Sequence, residues 1–364
     1  MQIEAPTAAL LRIDLDALAR NYRLLCKQAA PAECAAVVKA DGYGLGTVGV
    51  ARRLLREGCR KFFVATLAEV TELRALAPDA SIYVLEGAVL AAVDELIALR
   101  ATPVLSSLEQ IERWRGHGRA LLHIDTGMTR LGLSAADVRV LARRGDLLEG
   151  IQLEYVITHL ACADEPEHPQ NRAQLKLFDE LRRLLPPAQT SIGNSAATFI
   201  DAAHRGDLVR PGVALYGGNP FVGRPNPMAA VVTYLAPILQ IREIEDAVPV
   251  GYGATYVATP PARLAVVGSG YADGYPRSLG NRAAAAVHGL RVPVVGRVSM
   301  DLLCVDISAL PRDTVRVGDF VELIGPTVGL DEVAETAGTI SYEILTGLGK
   351  RLIRQYVERR KLEE

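Results

Sequence analysis

The sequence predicts an α/β barrel of the (β/α)8, TIM-like kind, followed by a mainly antiparallel β domain. Two observations support this prediction: strand-like and helical patterns alternate over the first part of the 364-residue chain, and the alternation stops near residue 230. A chain of this length usually divides into two domains. We therefore expect a barrel domain over residues 1–230 and a strand-rich domain over residues 231–364.

Short apolar runs, rich in β-branched residues, predict the strands of the barrel. Eight such runs separated by helical patterns match the count of a closed barrel. An open doubly wound sheet is the rival arrangement, but no GxGxxG motif follows the first strand, so dinucleotide binding finds no support. The predicted strands are Ala35–Lys39, Phe62–Thr66, Ile82–Leu85, Pro103–Ser106, Leu121–Asp125, Glu154–His159, Thr190–Gly193 and Leu208–Tyr216.

Apolar residues at helical spacing predict the helices that separate these strands. The first helix follows Asp16, a residue type that caps helix N-termini. Gly58 and Pro78 are placed to end two later helices. The other predicted helices are Thr47–Arg56, Leu67–Leu76, Val89–Leu99 and Arg172–Leu185.

Closely spaced strand patterns with little helix between them predict the second, antiparallel domain. Helical patterns return only near the end of the chain, over Leu330–Ala337 and Leu345–Val357. The predicted strands are Pro237–Glu243, Leu264–Gly268, Ala284–Val287, Val292–Val298, Leu302–Ile307 and Phe320–Ile324.

Composition and charge argue against several classes of function. The formal net charge of −2 gives no electrostatic reason to expect nucleic acid or a membrane surface as a partner. No apolar run approaches the ~18–20 residues that span a bilayer, and the N-terminus lacks the features of an export signal. The five cysteines lack paired CxxC spacing, so we expect no metal site and a cytoplasmic protein.

Functional residues of a barrel collect in the loops that follow its strands. Those positions hold a basic set of residues that suits anions. The set comprises Lys39, the segment from Asp125 to Arg130, His159, Asn194-Ser195 and Arg210-Pro211-Gly212.

Lys39 ends a buried strand, and a glycine-rich segment containing Gly42, Gly44 and Gly46 follows it. Glycines let the backbone approach a bound group closely, and Tyr43 adds a hydroxyl there. A desolvated lysine has a lowered pKa and can form a Schiff base with an aldehyde cofactor. A phosphate on that cofactor needs an anion site, which barrels often build after their last two strands.

Six segments, in order along the chain, resemble the signature motifs of the alanine racemase family. The resemblance runs from about residue 11 to residue 345. The segments are Ala36–Gly44 (AVVKADGYG), Ile124–Gly132 (IDTGMTRLG), Val209–Gly212 (VRPG), Gly251–Tyr256 (GYGATY), Gly270–Gly274 (GYADG) and Gly296–Asp301 (GRVSMD).

The resemblance implies a pyridoxal 5'-phosphate enzyme that converts L-alanine to D-alanine for peptidoglycan. It also implies a head-to-tail homodimer, in which the C-terminal domain contributes to the partner's active site. Lys39 then carries the cofactor as a Schiff base and acts as one of two bases, with Tyr252 of the partner subunit as the other. The residues that the resemblance assigns to the substrate are Arg130, Met300, Tyr271 and Asp301, and Arg130 also reaches the phenol oxygen of the cofactor. Those it assigns to the cofactor phosphate are Tyr43, Ser195, Gly212, Val213 and Tyr342.

A tyrosine with an ordinary pKa near ~10 is a poor base at neutral pH, so it needs neighbours that favour the phenolate. The resemblance makes His159 that neighbour and makes Arg210 the residue that orients it. Arg210 also stands where many such enzymes place a carboxylate beside the cofactor nitrogen. An arginine cannot accept the proton, so we expect the nitrogen to stay unprotonated and side reactions to be fewer.

Two positions depart from the family pattern. His123 stands where family members often carry a carbamylated lysine that braces the arginine, and Leu45 replaces a common histidine. Arg130 must therefore be braced by water, an anion or His123. The sequence also leaves two alternative functions open: a racemase of serine or of a broader set of amino acids, and a non-catalytic pyridoxal-phosphate carrier.

Overall fold

The computed structural model describes residues 8–90 and 92–358. They form two compact units: a barrel unit, residues 19–215 and 219–228, and a β unit, the described parts of residues 1–18, 216–218 and 229–364. The first strand, β1 (Leu10–Asp14), belongs to the β unit, where it pairs with two strands from far along the chain. The sequence analysis predicted no strand here, and the partners of β1 lie more than 200 positions away in the chain.

Parallel strands line the barrel unit, and most of their residues are buried, as expected for a sheet covered by helices. The strands are β2 (Glu33–Cys34), β3 (Ala36–Val37), β4 (Lys61–Val64), β5 (Ser81–Val84), β6 (Thr102–Leu105), β7 (Gly118–His123), β8 (Ile151–Ile157), β9 (Gln189–Ser191) and β10 (Leu208–Val209). Strands β3 to β9 are hydrogen-bonded in chain order. Strand β10 pairs with β2, and the N–H of the next residue, Arg210, donates to the Gly193 carbonyl at 2.7 Å, which closes the ring beside β9.

Amphipathic helices bury their apolar sides against this ring. They are α1 (Leu15–Ala29), the short turn α2 (Lys39–Tyr43), α3 (Thr47–Arg56), α4 (Ala68–Leu76), α5 (Val93–Ala98), α6 (Leu108–Trp114), α7 (Ala135–Arg143) and α8 (Pro169–Arg182). The cap of α1 is Asp14 and not Asp16 as predicted, because Asp14 Oδ1 accepts from the Ala17 N–H at 2.8 Å. Short 3-10 helices occupy Gly145–Leu148, Ala197–Phe199, Ala202–His204 and Val213–Tyr216.

The β unit is built on a ring of mainly antiparallel strands. The strands are β11 (Val232–Ile244), β12 (Val248–Val250), β13 (Tyr256–Ala258), β14 (Ala262–Val267), β15 (Ala284–Val287), β16 (Leu290–Val295), β17 (Leu303–Asp306), β18 (Phe320–Ile324) and β19 (Ile353–Val357). The order β14-β17-β16-β15-β18-β11 closes because β11 also pairs with β14. The long strand β11 pairs with β18 along its first half and with β14 along its second half. Its register with β14 shifts between Ile238 and Gln240.

Helices α9 (Leu330–Ala337) and α10 (Ser341–Gly347) complete the β unit, together with 3-10 helices. The predicted fold class, a barrel followed by an antiparallel β domain, is confirmed. The 3-10 helices are Tyr252–Ala254, Tyr271–Asp273, Arg277–Leu279 and Arg312–Thr314.

Two predicted elements were wrong. Residues 345–357 do not form one helix: α10 ends at Gly347, and residues 353–357 form β19, which pairs in parallel with β1. The predicted strand Leu208–Tyr216 stops after Val209, because Pro211 has no N–H to donate, and a 3-10 helix takes its second half.

Across the described ranges, no helix is long and apolar enough to cross a membrane. Within the same ranges, no group of three or more His, Cys, Asp or Glu side chains could hold a metal ion. All five cysteines are free thiols.

Candidate active site

Lys39 lies two residues after the end of strand β3, at the start of a left-handed turn. L-residues adopt positive φ rarely, so this turn is strained, and such strain is concentrated at functional sites. The sequence predicted a permissive glycine loop, but three non-glycine residues share the conformation. The φ values are 53° for Ala40, 54° for Asp41, 59° for Gly42, 56° for Tyr43 and 80° for Gly44.

Two carboxylates hold this turn in place. Glu69 Oε1, from helix α4, accepts from the Ala40 N–H at 2.6 Å. Asp41 Oδ1 accepts from the Thr47 N–H at 2.8 Å, where helix α3 begins. The turn therefore rests on contacts to two helices, which offset the cost of its backbone conformation.

The Lys39 amine lies in surroundings that favour its neutral form. Burial lowers the pKa of Lys39, and the positive charge of Arg130 lowers it further, against an opposing effect of Glu69. A neutral amine is the form that attacks a carbonyl and the form that accepts a proton.

Tyr43, at the end of the lysine turn, meets Ser195 and Gly212. Ser195 Oγ accepts from the N–H groups of Gly212, at 2.9 Å, and Ala214, at 3.3 Å. A Cβ on Gly212 would lie 2.1 Å from the Tyr43 hydroxyl oxygen, so only glycine fits there. Val213 is buried at the start of the following 3-10 helix.

Arg210 is buried among oxygen acceptors directly after β10. Its Nη1 donates to Ser191 Oγ at 2.5 Å, and its Nη2 donates to the Thr158 carbonyl at 2.7 Å. Burial lowers the pKa of Arg210 to about 10, which leaves the guanidinium charged at neutral pH. This position therefore holds a fixed positive charge directly after the end of β10.

His159 contacts Arg210, with its Nδ1 lying 3.5 Å from Nη2. Burial lowers the pKa of His159 far below its usual range, and the charges of Arg210 and Arg130 act in the same direction. The imidazole is therefore neutral at physiological pH. A neutral imidazole can accept a hydrogen bond on one nitrogen and donate from the other.

Arg130 lies on an exposed loop that Asp125 shapes from inside. Asp125 Oδ1 accepts from the N–H groups of Gly127 (2.9 Å), Met128 (3.0 Å) and Thr129 (3.1 Å). These bonds occupy the carboxylate and lower the pKa of Asp125, although burial opposes them. The loop thus exposes the Arg130 guanidinium, whereas the Asp125 carboxylate is engaged with the backbone.

His123, the residue that departs from the family pattern, ends β7 within electrostatic range of both arginines. Burial lowers the pKa of His123 to about 4, and the charges of Arg210 and Arg130 contribute. A neutral imidazole here can accept a hydrogen bond but supplies no negative charge. The structure gives no hydrogen bond between His123 and Arg130.

The remaining predicted residues lie in the β unit, on its exposed turns. Tyr252 begins a 3-10 helix, Tyr271 begins another, and Met300 follows β16 in a tight turn. All three side chains are largely exposed. Asp301 is engaged by an arginine, and Tyr342 lies in the first turn of α10.

Three supporting residues were missed by the sequence analysis. Glu69 holds the lysine turn, and Ser191 holds Arg210. Gln174, fully buried on α8, donates to the His159 carbonyl at 3.0 Å and to Thr126 Oγ1 at 3.2 Å. A polar residue on the apolar side of a predicted helix was a signal for Gln174, whereas Glu69 and Ser191 act through contacts that sequence does not reveal.

The barrel residues fit a group that carries both a carbonyl and a phosphate. Arg130 and Arg210 bring positive charge to the rim that carries Lys39, and the nearby Asp125 carboxylate is engaged with its own loop. Tyr43, Ser195 and Gly212 form a cradle that offers two hydroxyl groups. A Cβ added to Gly212 would clash with the Tyr43 hydroxyl. Such a rim defines a barrel enzyme that binds an anionic aldehyde next to a reactive lysine.

Comparison with known proteins agrees with this class. The family model for the alanine racemase N-terminal domain matches residues 13–220, and that for the C-terminal domain matches residues 231–356. The chain therefore belongs to the alanine racemase family, and the predicted enzyme class, an isomerase, is confirmed.

Individual relatives are similar over almost their whole length. A protein of Agrobacterium fabrum named "Alanine racemase, catabolic" is 46% identical over 356 residues, 96% of this chain and 92% of that protein. An alanine racemase of Rhodospirillum rubrum is 46% identical over 97% of both chains. The crystal structure of alanine racemase from Bartonella henselae, with covalently bound pyridoxal phosphate, has a TM-score of 0.92 at 38% identity, covering 97% of this chain and 100% of that one.

Proposed function

We propose that this chain racemises alanine with pyridoxal 5'-phosphate held on Lys39. The observation that supports this most is the pairing of a lysine whose pKa is lowered with an adjacent cradle for a phosphate. Curated relatives named alanine racemase and the Bartonella henselae structure with its covalent cofactor support the same function.

The cofactor would be held at both of its ends. Tyr43, Ser195, Gly212 and Val213 would surround its phosphate, with Tyr342 as a further contact. Arg210 would face the ring nitrogen as a donor, since a buried guanidinium with a pKa of about 10 keeps its proton. When bound, pyridoxal phosphate withdraws electrons from the substrate and acidifies its Cα–H bond.

Two bases on opposite faces of the substrate would move the proton. Lys39 Nζ serves one face, and the neutral form that its surroundings favour is the form that accepts a proton. The phenol oxygen of the partner subunit's Tyr252 serves the other face. His159 would adjust that phenol by a hydrogen bond, since its own contact to Arg210 fixes the ring.

Substrate recognition would fall to Arg130, Met300, Tyr271 and Asp301. The Arg130 guanidinium suits a carboxylate, because its planar fork of donors matches two carboxylate oxygens. Tyr252 and Tyr342 would narrow the entrance and so favour the methyl side chain of alanine over larger side chains.

We also propose a head-to-tail homodimer, in which residues 231–364 contribute to the partner's active site. Tyr252, Tyr271 and Met300 are exposed apolar or aromatic side chains on turns of the β unit. Exposed side chains of this type are enriched at interfaces between protein chains. Burial against a second copy would give them an apolar environment.

We propose D-alanine supply for peptidoglycan as the physiological role, in the cytoplasm, where five free thiols would stay reduced. Relatives include proteins named as catabolic alanine racemases, and a racemase works in both directions. Growth of a bacterial strain that lacks its own alanine racemases tests this role. Expression of this chain should allow that strain to grow without added D-alanine.

The activity itself is tested by measuring D-alanine formed from L-alanine by purified protein with added cofactor. We expect interconversion of the two enantiomers and much slower reaction with serine. Faster reaction with serine would make the protein a broader racemase. Cofactor binding without any racemisation would make it a carrier.

A further inference from the structure

Two turns of the β unit carry three of the predicted substrate-binding residues. The first turn, residues 270–273, contains Tyr271, and the second, residues 299–302, contains Met300 and Asp301. The side chains of Tyr271, Met300 and Asp301 are exposed, so burial in a core does not fix these three residues. Their geometry must be set by other contacts.

Backbone hydrogen bonds join the two turns directly. The Tyr271 N–H donates to the Ser299 carbonyl, and the Ala272 N–H donates to the Met300 carbonyl, both at 3.0 Å. The turns approach so closely that a Cβ on Gly270 would lie 2.3 Å from both carbonyl oxygens. Any movement of one turn therefore carries the other with it.

Arg351 bridges the same two turns through their carboxylates. Its Nε donates to Asp273 Oδ1 at 2.9 Å, and its Nη1 donates to Asp301 Oδ1 at 2.8 Å. Asp273 is buried, and its second oxygen accepts from the Gly270 N–H at 3.0 Å. Arg351 thus connects a fixed carboxylate in one turn to an exposed carboxylate in the other.

The peptide units beside Asp301 have unused donors. Within residues 8–90 and 92–358, no group accepts a hydrogen bond from the N–H of Met300 or from that of Asp301. Two consecutive free N–H groups on a constrained turn form a receptor for an anion such as a carboxylate. Their direction depends on the orientation of the turn that Arg351 holds.

We infer that Arg351 is a positioning residue for substrate binding: it orients the turn at residues 299–302 so that the N–H groups of Met300 and Asp301 can bind the substrate carboxylate. This inference rests on the proposed racemase function. In this role Arg351 acts on the substrate only through Asp273 and Asp301, the two carboxylates that it contacts.

The contacts of Arg351 with Asp273 and Asp301 are not explained by a large contribution to folding stability. Arg351 and Asp301 are both more than half exposed, and exposed ion pairs contribute little to folding. The bridge instead fixes a surface turn whose donors have no partner inside the described chain.

The test compares Arg351→Met and Arg351→Lys with the wild-type holoenzyme. We expect Arg351→Met to raise the KM for alanine by about tenfold or more with kcat changed by less than about threefold, since the interaction lost acts on binding. Arg351→Lys keeps one charge and should restore part of the affinity. The matched control is Arg291→Met, which breaks a comparably exposed pair with Glu332 in the same unit and should leave KM unchanged.

A second readout does not depend on catalysis. Calorimetric titration of the holoenzyme with propionate, a carboxylate without the amino group, should show weaker binding for Arg351→Met and for Asp273→Asn than for Arg291→Met. A KM and a propionate affinity equal to those of the control would overturn the inference. So would a joint loss of kcat and thermal stability that Arg351→Lys does not relieve. A wild-type enzyme that fails to racemise alanine would instead reject the proposed function.

Discussion

The site residues of the two units are prepared in opposite ways. In the barrel unit they are buried and hydrogen-bonded within the unit: Ser195 is 3% exposed, Tyr43 5% and Arg210 6%. In the β unit Tyr252 is 72% exposed and Met300 is 53% exposed. The barrel unit thus carries most of the proposed cofactor residues in a fixed arrangement, whereas the β unit exposes side chains that the proposed homodimer would bring to a partner's surface.

Removal of the lysine should have the largest effect. We expect Lys39→Ala to lower racemase activity by about 10⁴-fold or more, because it removes both the covalent anchor and one base. Absorption spectra should show that the visible band of the bound cofactor is lost as well. Retention of that band after dialysis would mean that another group anchors the cofactor.

Loss of the tyrosine proposed as the second base should lower activity without loss of the cofactor, because the substitution changes only the β unit. We expect Tyr252→Phe to reduce kcat by about 10²- to 10⁴-fold, the usual contribution of a positioned acid or base. Cofactor absorbance should stay at the wild-type level, since Lys39 and most of the residues proposed to hold the cofactor lie in the barrel unit. A variant with near wild-type kcat would contradict the assignment of Tyr252 as a base.

Crowding of the phosphate cradle should have a smaller effect that is confined to the barrel unit. A methyl group on Gly212 would meet the Tyr43 hydroxyl at 2.1 Å, whereas one on Gly145 would meet nothing within 4 Å. Overpacking typically costs about 1–3 kcal/mol, so Gly212→Ala should weaken cofactor affinity by roughly 10- to 100-fold. Gly145→Ala serves as the control in a fluorescence titration of the apoenzyme. Equal losses with pyridoxal and with its phosphate would show that this cradle does not bind the phosphate.

The smallest effect should be on stability below neutral pH. Burial lowers the pKa of His123 to about 4, below the ~6.5 of an unfolded histidine. Between those values the unfolded chain binds the extra proton, so stability falls as pH decreases through this window. We expect His123→Gln to lose less thermal stability than wild type between about pH 7 and about pH 5, as measured by calorimetry, and the exposed His117→Gln to follow wild type. Parallel curves for all three proteins would contradict the burial of a neutral His123.

The sequence predicted the architecture well where the signal is local. Thr47–Arg56, Ala284–Val287 and Leu330–Ala337 agree residue for residue with the structure, because each is decided by its own periodicity. Strand β19 was mistaken for helix because its pairing with β1 joins residues more than 300 positions apart in the chain.

The sequence proposed the reacting groups but not the residues that hold them. Lys39 and Arg210 lie in motifs, but the left-handed turn after Lys39 depends on Glu69, and the bridge of Arg351 depends on Asp273, 78 positions away. Such contacts arise from tertiary packing, which no short pattern encodes. Likewise, the presence of His123 in the sequence does not reveal which group supports the Arg130 side chain.

We propose that each active site combines the barrel unit of one protomer with the β unit of its partner, and complementation between two inactive variants can test this. Lys39→Ala and Tyr252→Phe, each nearly inactive alone, are coexpressed with different tags and the mixed dimers are assayed. If the site is shared, a random mixture should regain about a quarter of wild-type activity, since half of the dimers are mixed and each of those has one intact site. If the mixed dimers stay as inactive as the parents, the site lies within one protomer and the account is wrong.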